Sequence, residues 1–515
     1  MATTPTTTLD TITVTAAKPL PAPPARQVKA YRPQISVVLK KAINRRSVAT
    51  GVDASQRVQG NDNASIDLAR FLGKGFGVSV CRTVRGPSSG NFTIRFPDKM
   101  VPGQLESIYG LIEPMDVIEI RMQRTPSGPG TASMPIVIRG LVTDVGRDQV
   151  MTEAGPQRAV VVTGHDYSKI LQLMRVIYLP TMIVGQDLLT ALNLFTNYNI
   201  DAQNYVTADA FVNEVMVKAV QPFIKRLQAA TGGGHSPIEM LNVEALSPAA
   251  SSNVSPYGTQ GWGGGAIFDL LTEFGDVGPW QELFVEDRDD GPYLVYRPAP
   301  LRTATGGWVQ AEVANLKTAV AEVLVESADI IELHARRSDA NVANYFWVDA
   351  PAYQIIGSPT LQQDQNLQPA PAVTGYQNCD PAIYGTRLMR VSTNQGGRYD
   401  GQAQAALSKG DEDALNLNNA KRQIIIDANQ DNVVFEAGSM RLKGNEAIRA
   451  GGDVKVRSGN FVWRCYGHTV QHDYIVGGAF TTTVTFERGT GFIEREQLQG
   501  ASSAYLQEIG RGVPK

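Results

Sequence analysis

The stretch Val454–Gly489, VKVRSGNFVWRCYGHTVQHDYIVGGAFTTTVTFERG, decides the fold class. Phe461, Trp463 and Cys465 alternate with Val462, Arg464 and Tyr466. Beyond Gly477-Gly478, the residues Phe480, Val484 and Phe486 fall on one side at period two. Half-buried strands have that period, so the stretch is predicted to be an antiparallel meander whose strands pair with one another and with a segment earlier in the chain. Immediately upstream, Gly438–Gly444 and Ile448–Gly452 are short alternating pieces closed by glycines, where strands turn sharply and no helix fits.

Working outward, short strands are predicted at 35–39, 76–80, 91–96, 117–122, 134–142 and 159–164, spaced by Gly, Pro and Asp. That pattern fits a closed or half-closed antiparallel barrel ending near Gly164. Helix follows: Asp166 can cap a segment carrying Ile170, Leu171, Met174 and Ile177 that ends before Pro180. Thr207 can cap one carrying Phe211, Val212, Val215, Ala219, Phe223 and Leu227, bent or broken at Pro222. Thr231–Gly265 is rich in Gly, Ser and Pro and reads as a long loop, while short helices are predicted at Ala266–Phe274 and Trp280–Phe284. Strand resumes at Tyr293–Pro300 and continues at 330–334, 342–346 and 387–391. A polar stretch follows, with a helix over 414–426, before the terminal meander.

The 515 residues exceed what one core usually serves. The expected division is an extended Pro/Thr-rich arm at 1–34, a first β-barrel domain at 35–164 and a helical and long-loop region at 165–290. The first part of a second barrel falls at 291–395, a polar helical insertion at 396–432, the meander that completes the barrel at 433–490 and a C-terminal tail at 491–515. The arm, with LPAPPA at Leu20–Ala25, cannot bury enough apolar surface to fold alone; it is expected to lie on a neighbouring chain or on its own domain.

A formal charge of -3, from 47 basic and 50 acidic residues, argues against a dedicated nucleic-acid binder. Cys81, Cys379 and Cys465 are odd in number and far apart, so no disulfide framework or clustered thiolate metal site is expected, which suits a reducing compartment. No run of about 18 apolar residues occurs, and a soluble chain without membrane insertion is expected.

Candidate chemistry reads as structural. His468 and His472 are four apart, which on a strand separates them by roughly 13 Å, too far for one ion. His165-Asp166 reads as a turn and cap, with Ser168 inside the helix that follows. The run Glu286–Gly291 has calcium-like composition without the twelve-residue spacing, and a solvated turn is expected. Gly258–Gly265 follows no clear strand and lacks Gly-Lys-Ser/Thr, so it is a poor phosphate cradle. The basic pairs Arg45-Arg46, Arg336-Arg337 and Lys421-Arg422 lack interleaved aromatics and read as surface salt-bridging groups. No catalytic, cofactor or metal residues are assigned.

Four segments resemble the bacteriophage tail baseplate hub family, the contractile-tail type with relatives in other injection machines. Residues 132–173 resemble its outward strand, Gly-x-Val strand, polar turn, return strand and Gly-x-Asp helix start. Residues 283–300, LFVEDRDDGPYLVYRPAP, are similar to its Asp…Arg-Pro segment. Residues 338–346, SDANVANYF, resemble its connection, and 438–489 its terminal meander. The resemblance implies a mainly β fold with α insertions and two antiparallel barrel-like domains per subunit, six in a homotrimer, forming a pseudo-six-fold ring. It implies a non-enzymatic adapter joining a six-fold tail tube or tube-initiator protein to a three-fold central spike. A channel would let DNA or tape-measure protein pass, and other baseplate proteins would meet the arm. The site is the virion tail baseplate, assembled in host cytoplasm. Structural or interface roles are expected for Phe461, Trp463, Tyr466, Phe480, Val484, Phe486, Arg297 and Asn344. Two alternatives stand beside this: the hub of a bacterial contractile injection or secretion system, and a peptidoglycan-degrading hub. The second would need paired carboxylates or zinc ligands, and the sequence shows neither spacing.

Overall fold

A computed structural model describes residues 31–42, 65–86, 89–99, 107–125, 134–152, 155–176, 206–231, 236–247, 253–254, 265–349, 376–396, 404–458 and 461–491. Most of the 1–34 arm, the tail beyond 491, the pair Arg45-Arg46 and the stretch 258–264 lie outside these residues.

Seven strands make the first sheet: β1 (Gln34–Lys40), β2 (Ser65–Asp67), β3 (Gly77–Thr83), β4 (Gly90–Pro97), β5 (Val117–Gln123), β6 (Ile136–Thr152) and β7 (Gly155–Asp166). They pair antiparallel in the order β2-β1-β5-β6-β7-β4-β3. The expected alternation governs them: Phe92, Ile94 and Phe96 of β4 point inward with Val80, Ile120, Ile138 and Val162 of four other strands, all in one core. Gly140 and Gly164 permit this packing. A Cβ at Gly164 would lie 2.2 Å from the tip of the Phe92 ring, and one at Gly140 would lie 2.9 Å from the same ring. Past the core, β6 and β7 run on as a hairpin on which Val150 and Met151 are exposed.

The middle of the chain supplies helices α1 (Ser168–Leu173), α2 (Ala208–Val215), α3 (Gln221–Ala230) and α4 (Ile267–Phe274). A π-helical turn, Met216–Val220, joins α2 to α3 just before Pro222. Proline has no N–H to offer and its ring would collide with the carbonyl four residues back, so the wider turn lets the helix pass it. Their apolar faces share a core with one face of a three-stranded sheet made of β8 (Asn242–Ala245), β9 (Gln281–Arg288) and β10 (Gly291–Pro298). Leu283, Val285, Leu294 and Tyr296 turn toward the helices, and Phe284 and Val295 turn the other way, against Val84 and Tyr466.

The second curled sheet runs β11-β16-β17-β18-β15-β12, from β11 (Glu322–Glu326), β12 (Ile330–Arg336), β15 (Glu436–Lys443), β16 (Gly452–Ser458), β17 (Phe461–Ile475) and β18 (Phe480–Thr490). Its two end strands, β11 and β12, are joined by the three-residue turn Ser327–Asp329, so the sheet curls back on itself around Val325, Met440, Val456, Trp463, Val470 and Phe486. Between these strands in sequence lie β13 (Tyr345–Asp349), β14 (Leu388–Ser392) and α5 (Gln404–Asn429). β13 and β14 pair in parallel and pack on α5 through Phe346, Val348 and Ile425.

The two sheets are one. Phe461–Gly467 of β17 pairs with β16, and Thr469–Ile475 of the same strand pairs with β3, while β18 runs along its other edge. The terminal meander thus pairs with a segment nearly 400 residues earlier, as expected, and the whole is a 13-stranded sheet. Among the described residues neither half closes into a hydrogen-bonded barrel: β2 and β12 end the paired path.

Several local expectations change. Residues 281–284 are strand rather than helix, because Leu283 and Phe284 are buried on opposite faces and no polar face interrupts the apolar run. The meander is buried on both faces in place of one: Trp463 and Cys465 enter the second core while Tyr466 packs against Phe284 and Val295. The 231–265 loop contains β8, held by β10. Helix α1 stops at Leu173 and α5 extends both ways beyond 414–426. The run Glu286–Gly291 is not a solvated turn throughout, since Glu286 and Asp287 belong to β9 and Asp287 is buried.

Candidate functional site

Buried ion pairs cluster where the three parts of the chain meet. Arg82 on β3 reaches across to β9: Nη1 donates to Asp166 Oδ2 at 3.3 Å and to the Val285 carbonyl at 2.8 Å, and Nη2 pairs with Asp287. Arg139 on β6 donates its backbone N–H to Asp287 and Nη1 to the Arg288 carbonyl. Ser89 Oγ donates to Asp166 Oδ2 and accepts the Val285 N–H. Asp166 also accepts the Ser168 N–H at the start of α1. One fully buried carboxylate therefore serves the first sheet and the first helix, and desolvation pushes its pKa up against the pull of Arg82.

A second cluster ties β9 and β10 to the meander. Arg297 donates Nε and Nη2 to Glu282 Oε2 at 3.1 and 3.0 Å and Nη2 to the Gly451 carbonyl at 2.6 Å, while the Tyr466 hydroxyl donates to Glu282 Oε1. Burial raises the Glu282 carboxyl and, more strongly, the Tyr466 phenol. Gly451, at φ +80°, adopts a left-handed conformation beside that guanidinium, where a Cβ would stand 2.5 Å from Arg297 Nη2. A third cluster fastens α5: Lys421 Nζ, fully buried, pairs with Asp276 beyond α4 and donates to Thr393 and Gln395, and Trp280 Nε1 donates to the Lys421 carbonyl. Lys421 is a buried strut, not the surface group its sequence suggested.

His472 is enclosed between Thr482 Oγ1 and the Ile448 carbonyl, and burial lowers its pKa to about 4. His468 is half-buried four residues away on β17, and no group of three metal-ligating side chains occurs among the described residues. The cavity beside Arg82, Asp287 and His472 holds about 50 Å³, room for a water or two. An open groove of about 630 Å³ between β14, α5 and Phe435 is lined by Leu388, Met389, Ile425 and Val342, with Arg85, Arg488, Glu436 and Glu487 also on its wall, Arg85 being paired with Glu487. No helix among the described residues is long and apolar enough to cross a membrane.

The residues singled out in the sequence fall mostly inside the subunit. Trp463 is buried, edge-on to Phe486 with ring centroids 5.0 Å apart, and donates Nε1 to Glu436 at 2.8 Å. Val484 joins these in the second core, while Phe480, on the same strand, packs in the first. Tyr466 and Arg297 belong to the Glu282 cluster, and Asn344 is fully buried, donating to the Cys379 and Gly385 carbonyls and accepting the Arg387 N–H. Phe461 begins β17. Sequence reasoning missed the exposed surfaces. β12 ends the sheet with every residue after Ile330 exposed, Ile331 and Leu333 among them, and Val150 and Met151 lie on the β6–β7 hairpin. The alternation of IIELHAR marked the first as strand but could not say it was an edge.

No protein-family model and no curated protein matches the chain. Solved structures do. A tail protein from Neisseria meningitidis MC58 is 11% identical, with 88% of this chain and 96% of that one covered and a TM-score of 0.42. The 43 kDa tail protein of prophage MuSo2 from Shewanella oneidensis is 13% identical, with coverages of 89% and 99% and a TM-score of 0.43. The E. coli c3393 protein, a type VI secretion component similar to T4 tail proteins gp27 and gp5, is 8% identical, with coverages of 81% and 73% and a TM-score of 0.30. The structural neighbours are thus phage tail and baseplate proteins and a secretion component, the group to which the sequence resemblance pointed.

Proposed function

We propose that this chain is a non-catalytic structural hub of a phage tail baseplate. In this reading three copies form a ring that joins the six-fold tail tube to the three-fold central spike around an open channel. The observation that carries it is β17: one strand belongs to two curled sheets, each with its own core, and joins them within a single subunit. Two such modules in each of three subunits present six comparable positions to a tube while the assembly keeps the symmetry of a spike. The buried ion pairs add to that joint, since each ties together parts of the chain far apart in sequence. The same mechanics would serve a bacterial contractile injection or secretion system.

The test is mass. Native mass spectrometry and light scattering of the full-length chain should show a trimer, and reconstruction of the particle that contains it should show three copies around a channel. A monomer or dimer at all concentrations would sink the reading.

A further inference from the structure

The end of the second sheet is unfinished in a single copy. β12 pairs with β15 on one side only among the described residues, and Leu333, opposite Met440 in the register, faces the second core yet is 45% exposed. The core is therefore open along this edge, with Ile331 55% exposed beside it. An edge with unpaired backbone groups and apolar side chains is a template for a further strand.

The chain carries a strand-like segment without a described place. In Asp10-Thr11-Ile12-Thr13-Val14-Thr15, two β-branched apolar residues alternate with threonines, which is the pattern of a strand covering an apolar surface on one face. The described chain begins at Tyr31, whose ring lies under Arg124, 3.9 Å from its guanidinium carbon, and 5.6 Å from Lys443 Nζ. Both cations pair with Asp329, the residue before β12. The arm thus leaves the fold at the near end of the open edge.

Length puts another copy's edge within reach. From Val14 to Tyr31 is 17 residues, stiffened by Pro19, Pro21, Pro23 and Pro24. At about 3.1 Å per residue they span roughly 50 Å. The seven-residue β12 covers only about 23 Å. A linker of that reach is more than twice the length of its own edge and is long enough to carry residues 10–15 to another copy's. We propose that residues 10–15 of one copy add as a strand to the β12 edge of a neighbouring copy, with Ile12 and Val14 closing the second core over Ile331 and Leu333. This rests on the hub reading in one respect, that copies assemble.

The test uses the full-length chain with a benzophenone amino acid in place of Leu333, co-assembled from unlabelled and ¹⁵N-labelled protein, irradiated and mapped by mass spectrometry. The expected product joins the β12 peptide to the peptide containing Ile12 and Val14, with mixed light–heavy pairs present. The double substitution Ile12→Asp/Val14→Asp, outside the described fold, should lower its yield roughly tenfold, because a carboxylate cannot enter the core unpaired. Cross-links only within one chain, or only to another protein in assembled tails, would overturn the proposal. A trimer whose β12 captures no arm peptide would overturn it while leaving the hub reading intact, whereas a monomer at all concentrations would overturn both.

Discussion

At the scale of the residue, buried polar groups here are paired by partners far away in sequence, and each pairing predicts a measurable cost. His472 is neutral in the fold, held by Thr482 and the Ile448 carbonyl, with its pKa near 4 against an ordinary value of 6.5. The unfolded chain binds the proton first as pH falls, so this residue costs stability progressively between about pH 6.5 and 4, on the order of 3 kcal/mol in all. Chemical denaturation across that window should show wild type losing stability relative to His472→Gln; parallel pH profiles would contradict the assignment. Gly164→Ala should destabilise by about 1–3 kcal/mol, because its methyl group must displace the Phe92 ring or the backbone of β6. Restoration of the midpoint by adding Phe92→Leu would identify the ring as the obstacle. The Gly-x-Val and Gly-x-Asp pieces read in the sequence at 140–142 and 164–166 thus have a physical cause: the glycines make room for one aromatic ring, and Asp166 serves Arg82, Ser89 and the start of α1.

At the scale of the element, strands with one wet face were legible, and among those buried on both faces β5 and β10 were legible while the start of β9 was not. β4 alternates buried and open along its length and was placed from sequence within a residue. The start of β9, up to Phe284, was read as helix and its end as part of a solvated turn, because the strand carries the helical core on one face and the Glu282 cluster on the other, leaving no polar face to mark the period. β17 was legible as a strand, but its division between β16 and β3 depends on partners that no local pattern contains. That division predicts that the amides of both halves of β17 exchange with solvent at similarly slow rates, measurable by hydrogen exchange with mass spectrometry. Fast exchange confined to 469–475 would mean that the modules open independently. Trp463→Ala, which removes the edge contact with Phe486 and the bond to Glu436, should cost roughly 3 to 5 kcal/mol and prevent assembly. Normal tails carrying that substitution would refute its structural role.

At the scale of the whole molecule, the first sheet is joined to β9 of the middle region by charges that cannot be exposed cheaply. Arg82→Met leaves Asp166 and Asp287 buried without their shared cation and should cost roughly 3–5 kcal/mol. Adding Asp287→Leu should recover part of the loss, and calorimetry should show one unfolding transition for the wild-type chain. Two transitions in the wild type would mean that the seam does not couple the first sheet to the middle region. The sequence announced a first strand-rich region and a helical region after it; the joint between them was invisible because its residues look ordinary singly. An arginine in a strand and an aspartate in an acidic run become a joint only when the fold brings them together.

The shared strand also sets a schedule for biosynthesis. β3 waits for its neighbour in β17 until the ribosome has added almost 400 more residues, the separation between Thr83 and Thr469 being 386. At about 5–20 residues per second, the edge of the first sheet stays open for roughly 20–80 s during translation. A nascent chain therefore cannot complete the surface of its first module before nearly all of its second has emerged. The order of the chain itself thus keeps the first module's surface from being finished separately, and the two modules are completed together.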